Sequence, residues 1–490
     1  MKNVTQRIIA AVIYIIVLSG FVLISSGFSY HRIQETVETS MLLSDVTGSA
    51  DDHIYLPMVL TGINRESIYR INVPYFNGEI KTNETAIAWF GQVTPNDNYA
   101  DVRLGYNDVE LYVDINIFDR RLWYDSTPSL AGLTEWDAVS VYIDLDGDVG
   151  DGPDFNSYKF VGQLNWWEDR NNWQVAYQGN GSGWEVTSIS FTTSSVWRGN
   201  APNDDVSDKG WRMKFHIPFT SLKLAGSPSQ GNVWGIAIVM HDRDDELGDY
   251  LTNKSWPESI DTNRPGTWGR IEFGFPTYTP PVATLGGEVV IKQGLNGTQV
   301  VDAHVGGHTT CGDGLEPYFS NWGNANYADY KQINIQNQTD VSDWPCFSKY
   351  YITFPLDTLP PGKVILSASL LMYQFGNAGV GYEPPPQPSL IQVLVVQGNW
   401  EESTLTWNNA PIAQENVSQA WVGLIEEPPE WPGIPIEWDV SRAVAEAYAS
   451  NEPLRLALYS ADFARHSGKY FYSSDAGEAA RPSLTVFWGD

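Results

Sequence analysis

Apolar and polar residues alternate with a period of two along most of this chain, and this pattern constrains the fold more than any other feature. In an extended strand successive side chains point to opposite faces, so the pattern predicts sheets with one buried and one polar face. Turn-forming residues separate the apolar runs at short intervals, which predicts an all-β chain of antiparallel sheets packed as sandwiches. Clear examples are Asp108–Asp119, Gly210–Phe219, Asn232–Asp242, Trp268–Phe275, Ser348–Leu356, Val364–Phe375, Ser389–Trp400, Leu454–Ala461 and Pro482–Gly489.

Breaks in the alternation divide the 490 residues into segments. The polar stretch 31–64 is interpreted as a spacer. The stretch 277–287 is interpreted as a semi-rigid linker, because its two consecutive prolines lack amide donors and favour an extended backbone. These breaks predict one β-sandwich domain over residues 65–276 and a second, jelly-roll-like domain over residues 288–490, in tandem.

Two helices are predicted beside the strands. Residues 1–30 have a short basic end followed by a charge-free run, Ile8–Tyr30, which is typical of a signal peptide or a signal-anchor helix. In the second domain Val440–Ala449 carries apolar residues at helical spacing, and Asp439 is the candidate N-cap.

The N-terminal segment and the acidic charge indicate an extracellular protein, secreted or anchored to the outer face of a membrane. The formal net charge of −30 repels nucleic acid and anionic lipid, so the membrane is expected to be contacted only through the N-terminal helix. The two cysteines, Cys311 and Cys346, form one disulfide if the compartment is oxidising, or stay as two buried thiols if it is not.

The first domain resembles the family 9 carbohydrate-binding modules and their DOMON-like relatives. The resemblance covers roughly Ile80 to Gly274 and is carried by the order and spacing of its motifs rather than by any single one. It implies a β-sandwich that binds polysaccharide ends or short sugars between aromatic rings, with calcium in some members. The motifs are Tyr99–Trp123, Val139–Phe160, Gly210–Leu224 and Gly231–Gly274.

The second domain is similar to the DNRLRE-type modules, which are related to the family 96 carbohydrate-binding modules. This resemblance covers Val289 to Asp490 and implies an accessory or adhesive module of extracellular proteins. It is carried by Tyr351–Tyr373, Asn399–Pro411, Ile436–Val444 and Tyr470–Trp488. Both resemblances imply binding rather than catalysis.

An acidic, glycine-rich stretch, "YIDLDGDVGDGPD" (Tyr142–Asp154), is the first candidate metal site. Clustered carboxylates repel one another unless a cation relieves them, and calcium takes six to eight oxygen ligands. The EF-hand pattern fails, because Val149 and Phe155 stand where it needs glycine and glutamate. The alternatives are a calcium loop of another kind and a solvated turn. The candidate ligands are Asp144, Asp146, Asp148, Asp151 and Asp154.

A second acidic stretch, His241–Asp249, ends another predicted strand. Asp242 and Asp244 are expected either to share one cation with the first loop or to form a glycosidase-like carboxylate pair. Arg243 between them is a candidate ligand-binding residue or an ion-pair partner.

Tryptophans near the predicted loops are the candidate sugar-binding residues, because aromatic rings stack against the C–H faces of sugars. Core packing is the alternative for each ring. We expect Trp256 to be an exposed ring and Trp268 to be structural. The candidates are Trp166, Trp167, Trp173, Trp184 and Trp256.

The sequence thus predicts an exported, non-catalytic carbohydrate-binding protein, stabilised by calcium and directed at a polysaccharide or a cell-surface glycan. A structural or adhesive surface protein without a sugar site is the second hypothesis. A glycoside hydrolase or lyase is the third.

Overall fold

The computed structural model describes residues 68–490, apart from 148–149, 151, 248–250, 308–314, 339–345 and 464–465. The predicted N-terminal helix and the spacer therefore lie outside the described residues. Within the described ranges no helix is long and apolar enough to cross a bilayer. Residues Arg65–Asp490 form one compact unit.

The regular elements of the first half of this unit, residues 68–276, are mostly strands, as the alternation predicts. The strands are β1 Arg70–Val73, β2 Ala86–Thr94, β3 Asp97–Tyr106, β4 Glu110–Phe118, β5 Ala138–Asp144, β6 Ser157–Gln163, β7 Gln174–Gly179, β8 Trp184–Thr187, β9 Thr192–Arg198, β10 Gly210–Pro218, β11 Val233–His241, β12 Lys254–Trp256 and β13 Gly269–Phe273.

The second half continues with strands and has two short α-helices. Its elements are β14 Leu285–Lys292, β15 Val301–Gly306, α1 Leu315–Ser320, β16 Gln332–Gln338, β17 Cys346–Phe354, β18 Val364–Asn377, β19 Ser389–Val396, β20 Ala413–Val422, β21 Ile434–Asp439, α2 Ser441–Ala449, β22 Leu454–Ser460, β23 Lys469–Tyr472 and β24 Ser483–Gly489. The all-β prediction is confirmed. Cys346 is buried at the start of β17. Its predicted partner, Cys311, lies outside the described residues, so the disulfide between them stays a prediction.

Two sheets face each other in the first half. One has the strand order β2-β3-β4-β10-β9. The other runs β8-β7-β6-β5-β11-β13-β1, with β12 paired to β11 and β1 parallel to β13. Apolar side chains from both sheets, among them Phe90, Val113, Val141 and Ile236, form one core. Alternation along each strand thus places one set of residues between the sheets.

The second half also buries a core between its strands. The order β15-β17-β22-β19-β20 forms one layer, and β14-β24-β18-β21 forms the other, with β23 paired to both β18 and β16. Ile352, Leu370, Leu456 and Leu484 are fully buried members of this core.

A third core joins the two halves. Trp89 and Tyr99 of the first half pack with Tyr351, Trp407 and other apolar residues of the second half. Lys349 is buried there, and its ammonium lies 3.8 Å from the centroid of the Trp407 ring and 4.1 Å from that of Trp89. It donates to the Tyr99 hydroxyl at 2.6 Å. These ring contacts and this hydrogen bond surround the amine, and burial lowers the pKa of Lys349 well below its usual value.

Candidate functional site

An exposed pair of tryptophans follows strand β6 in the first half. Trp166 is 39% exposed and Trp167 is 52% exposed, although both are large apolar rings. Their ring centroids lie 5.7 Å apart and their planes differ by 23°. The Asn165 side-chain oxygen accepts the Trp167 backbone N–H at 2.7 Å, which fixes the turn that carries the pair. We call Trp166 and Trp167 the tryptophan face.

Aromatic neighbours support this face from beneath. The Trp166 ring lies 4.6 Å from the Trp197 ring and 5.2 Å from the Tyr124 ring, in edge or tilted contacts. Tyr124 is itself held by Asn203, whose side chain accepts the Tyr124 N–H at 2.8 Å. The face is therefore preorganised, and two of the five candidate tryptophans, Trp166 and Trp167, are open to a flat ligand.

Trp173 lies at the same edge of the sheet but is half-buried. Its backbone oxygen accepts the Gln163 N–H at 3.0 Å, which places it beside the end of β6. Its indole N–H donates to the Asp125 carbonyl oxygen at 3.1 Å. Trp173 thus supports the loop near the tryptophan face through a polar contact.

Trp184 lies at the opposite edge of the same sheet. It pairs with Gly179 at the far end of β7, and its ring stacks on Trp268 at 6.3 Å with an angle of 8°. Its indole N–H donates to the Asn263 side chain at 3.1 Å. Trp268 is buried, as expected for a structural ring. The structure therefore does not join Trp184 to the tryptophan face.

Trp256 is a correction to the sequence prediction. We expected an exposed ring, but the side chain is 0% exposed. Its strand pairs with β11, where Trp256 lies opposite Ile238, and both point into the core of the first half. The backbone of Gly269 packs so closely that an added Cβ would lie 2.8 Å from the ring. A ring packed in this way cannot stack on a ligand.

Arg243 is also a buried residue rather than an open ligand contact. Its guanidinium lies 3.9 Å from the centroid of the Trp136 ring. Its N–H groups donate to the backbone oxygens of Asp245, Glu246 and Glu135. These contacts close the loop after β11, so Arg243 acts as a positioning residue for that loop.

The described aspartates of the first acidic stretch accept hydrogen bonds from residues that precede β6 or begin it. Asp144 is buried and accepts the Ser157 hydroxyl at 2.8 Å. Asp146 accepts the Asn156 side-chain N–H at 3.1 Å, and Asp154 accepts the Asn156 backbone N–H at 2.7 Å. Asp148 and Asp151, the other two candidate ligands of this loop, lie outside the described residues.

The predicted sharing of one cation between the two acidic stretches is wrong. Strands β5 and β11 are antiparallel neighbours, with Asp144 opposite Gly235 and Ala138 opposite His241. Asp144 and Asp242 therefore lie at opposite ends of the paired strands, separated by about 24 Å at roughly 3.4 Å per residue. The C-terminal ends of two adjacent strands lie side by side only when the strands are parallel.

Asp242 instead belongs to a cluster with two other aspartates, which we call the aspartate triad. Asp119 follows β4, Asp137 precedes β5 and Asp242 follows β11. One carboxylate oxygen from each residue lies within 4.8 Å of the others, and all three side chains are buried. Antiparallel order thus brings the end of β11 beside the start of β5.

Backbone donors satisfy only part of the triad. Asp137 accepts the Trp123 N–H at 2.7 Å on one oxygen and the Arg243 N–H at 3.0 Å on the other. Asp119 accepts the Arg121 N–H at 2.9 Å. Among the described residues, Oδ2 of Asp119 and Oδ1 of Asp242 receive no hydrogen bond, although both are buried. Such orphaned anionic oxygens are costly unless a proton or a cation joins them.

The pKa values of the triad also indicate that the charged carboxylates are unfavourable in this buried position. Burial, followed by the neighbouring carboxylates, raises the pKa values of Asp119 and Asp137 well above their usual range. Burial and the Asp244 carboxylate raise the pKa of Asp242 to about 8. Burial also raises the pKa of Asp244. Hard divalent cations such as calcium prefer an all-oxygen ligand set of this kind.

The triad lies at the same edge of the sheet as the tryptophan face. The Asp137 backbone oxygen accepts the Leu164 N–H at 2.7 Å, two residues before Trp166. Trp123, which donates to the Asp137 carboxylate, directly precedes Tyr124, whose ring packs against Trp166. A ligand in the triad would therefore stabilise the backbone that carries the tryptophan face.

Sequence reasoning found Asp242 but missed Asp119 and Asp137. Each of the three directly adjoins a strongly apolar strand, so each was visible as a strand-end aspartate. Pairing them needs the strand order, which brings β4, β5 and β11 together and which alternation alone does not give.

Comparison with known proteins finds a family similarity for part of the chain. Residues 318–487 match the model of carbohydrate-binding module family 96, which confirms the resemblance predicted for the second domain. No curated protein matches this chain.

Three solved structures are similar to parts of the chain. A family 9 carbohydrate-binding module from Caldicellulosiruptor kristjanssonii in complex with cellotriose has 19% identity and a TM-score of 0.30, covering 44% of this chain and 100% of that one. The family 9 module of that organism in complex with glucose has 18% identity and a TM-score of 0.29, over 43% and 100%. A putative carbohydrate-binding protein from Bacteroides uniformis has 12% identity and a TM-score of 0.32, over 42% and 99%.

Proposed function

We propose that this chain is a non-catalytic carbohydrate-binding protein that binds a polysaccharide or a cell-surface glycan through the tryptophan face. The family 96 match over residues 318–487 supports a carbohydrate-binding role for the chain. The observation that carries the proposed site is the exposure of two adjacent rings, Trp166 and Trp167, on a preorganised aromatic base. The two halves would act as jelly-roll-like binding modules.

The chemistry of the tryptophan face suits a sugar ring. Indole faces stack on the axial C–H groups of a pyranose, whereas its equatorial hydroxyls need polar partners at the rim. Exposed Glu168, Asp169 and Asn171 follow the pair directly along the chain and can supply such partners. Large rings that remain open to solvent favour this function over a purely structural role.

Calcium at the aspartate triad is the second part of the proposal. Three buried carboxylates with two orphaned oxygens fit a hard divalent cation, which would supply the charge that the triad lacks. Asp119, Asp137 and Asp242 would hold the ion, and Trp123 and Tyr124 would transmit the resulting rigidity to the tryptophan face. The same burial argues against a glycosidase pair, because a glycosidic oxygen needs access to its acid.

We further propose export of the chain. The charge-free run Ile8–Tyr30 and the net charge of −30 support a secreted or membrane-anchored extracellular location. In that compartment Cys311 and Cys346 would form a disulfide.

A glycan array followed by calorimetric titration tests the proposed function. Trp167→Ala should weaken one class of binding sites by at least about tenfold, because an anchoring aromatic contributes about 1.4 kcal/mol or more. Trp421→Ala is the matched control, since Trp421 is a comparably exposed tryptophan on β20. Absence of binding to every glycan, or unchanged binding by Trp167→Ala, would contradict the proposal.

A further inference from the structure

An open cleft in the second half has walls made of aromatic rings. It has a volume of about 530 Å³, which falls within the range of small-molecule sites. Trp431 is 56% exposed and Tyr330 is 44% exposed on its walls. Its lining consists of Asp329, Tyr330, Lys331, Gln332, Trp431, Tyr472, Ala476 and Gly477.

Packing holds the Trp431 ring in place at this cleft. The Trp431 and Tyr472 centroids lie 5.1 Å apart with an angle of 64°, and Tyr472 stacks on Phe375 at 4.5 Å. The backbone of Gly477 lies against the indole edge, where an added Cβ would be 3.0 Å from Cζ2 of Trp431. An exposed tryptophan is therefore supported from two sides rather than lying loose on the surface.

Tyr330 lies in the loop before β16 and contacts residues of the same half. Its backbone oxygen accepts the Ser473 hydroxyl at 2.6 Å, and its ring meets His304 edge-on at 5.7 Å. Two residues later Gln332 pairs with Tyr472 across β16 and β23. Strand pairing thus holds Gln332 and Tyr472, two of the lining residues, in fixed positions.

The charge of the cleft selects among ligands. Its lining contains one acid, Asp329, and one base, Lys331, so the two formal charges cancel. The nearby Asp475 interacts with both of these residues and with Arg481. It also clusters with the acids Asp302 and Glu402, so the surroundings of the cleft are acidic. A chain of net charge −30 repels polyanions, and this cleft offers no excess of positive charge to offset the repulsion.

We propose that this cleft is a second glycan-binding site, specific for an uncharged polysaccharide whose rings present C–H faces to Trp431 and Tyr330. Sugar hydroxyls would donate to Asp329 and accept from Lys331, while Gln332 can do either. The inference rests on the proposed carbohydrate-binding function. The cleft shares no residue with the tryptophan face, so a substitution can remove binding at one site and leave binding at the other unchanged.

Affinity electrophoresis tests this site on the full chain. The neutral probes are hydroxyethylcellulose and soluble xylan, and the anionic probes are alginate and polygalacturonate. We expect at least one neutral probe to retard the wild-type protein. Trp431→Ala should weaken the affinity for that probe at least about fivefold. Gly477→Ala should act in the same direction but less strongly, because its Cβ would push the indole edge aside by only a few tenths of an ångström.

Controls separate the two sites. Trp421→Ala should migrate as wild type, and each variant's melting curve checks that it is folded. If Trp167→Ala loses binding while Trp431→Ala and Gly477→Ala do not, the second site is refuted and the proposed function stands. Retardation by the anionic probes alone overturns the ligand class, and retardation by no probe overturns both proposals.

Discussion

At the scale of single residues, the aspartate triad couples stability to pH, because burial raises the pKa values of its carboxyl groups. Burial and the Asp244 carboxylate raise the pKa of Asp242 to about 8, whereas the pKa of an aspartate in an unfolded chain is about 3.9. A raised folded-state pKa favours the protonated native form. Without a cation, the stabilisation is therefore complete below about pH 4 and is lost as pH rises through the folded-state pKa.

The first prediction follows from this sign. In EDTA the melting temperature should fall between pH 5 and pH 8, and calcium should raise it more at pH 8 than at pH 5. Asp242→Asn should melt higher than wild type in EDTA at pH 8 and should lose most of the calcium increment. Differential scanning fluorimetry over this pH range measures both effects.

The control for this prediction is Asp154→Asn, an acid at the other edge of the sheet, which should keep the calcium increment. Asp208, whose pKa burial raises to about 7, adds a pH dependence of the same sign. The difference between wild type and Asp242→Asn isolates the triad from it. An unchanged calcium increment in Asp242→Asn would exclude the triad as the binding site.

The chemistry of these residues was easier to predict from the sequence than the identity of the residues they contact. Carboxylates in the first half were expected to hold a cation, and Asp242 was among them. Its partners are residues of other strands, and the relevant distance depends on which strands are adjacent. Trp256 failed for a related reason, since a tryptophan beside proline and polar residues resembles a loop residue until strand pairing turns it inward.

At the scale of elements, local patterns were sufficient where a single strand or helix decides the outcome. The predicted strand Asp108–Asp119 corresponds to β4, Glu110–Phe118. The predicted helix Val440–Ala449 corresponds to α2, which begins one residue later. Asp439 then lies one residue before the observed N-cap, Val440, yet its carboxylate still accepts the Ser441 N–H at 2.9 Å.

The second prediction concerns this helix. Asp439→Ala should lower the free energy of unfolding by about 1 kcal/mol, because the first turn of α2 loses a charged hydrogen-bond acceptor. Urea denaturation followed by circular dichroism measures the change. Glu437→Ala, at an exposed acid on the same strand, should change the free energy by less than about 0.5 kcal/mol. Equal effects of the two substitutions would show that Asp439 does not cap the helix.

At the scale of the whole molecule, the two halves share a buried interface. Asp101 and Arg103 belong to the polar set of β3, which alternation places on a solvent face. In the structure both are fully buried beneath the second half. Asp101 accepts the Asn337 side-chain N–H and the Tyr459 hydroxyl, and Arg103 donates to the Ala461 backbone oxygen. Polar contacts across a domain interface leave no periodic signal, so the sequence could not predict this burial.

The third prediction is that the two halves unfold together. Calorimetry of residues 65–490 should give a single unfolding transition, with equal calorimetric and van't Hoff enthalpies. Residues 65–276 expressed alone should aggregate, because they would expose the apolar rings that face the second half, and co-expression with residues 277–490 should restore solubility. Two separate transitions, or a soluble and monomeric first half, would contradict a shared core.

The central claim is that exposed aromatic rings on this chain bind carbohydrate. Its most direct test is equilibrium depletion of the protein from solution by insoluble neutral polysaccharides, comparing wild type, Trp421→Ala and the double variant Trp167→Ala/Trp431→Ala. Wild type and Trp421→Ala should be depleted by at least one polysaccharide, and the double variant should remain in solution. Depletion of the double variant to the same extent as wild type, or no depletion of wild type by any of them, would contradict the claim.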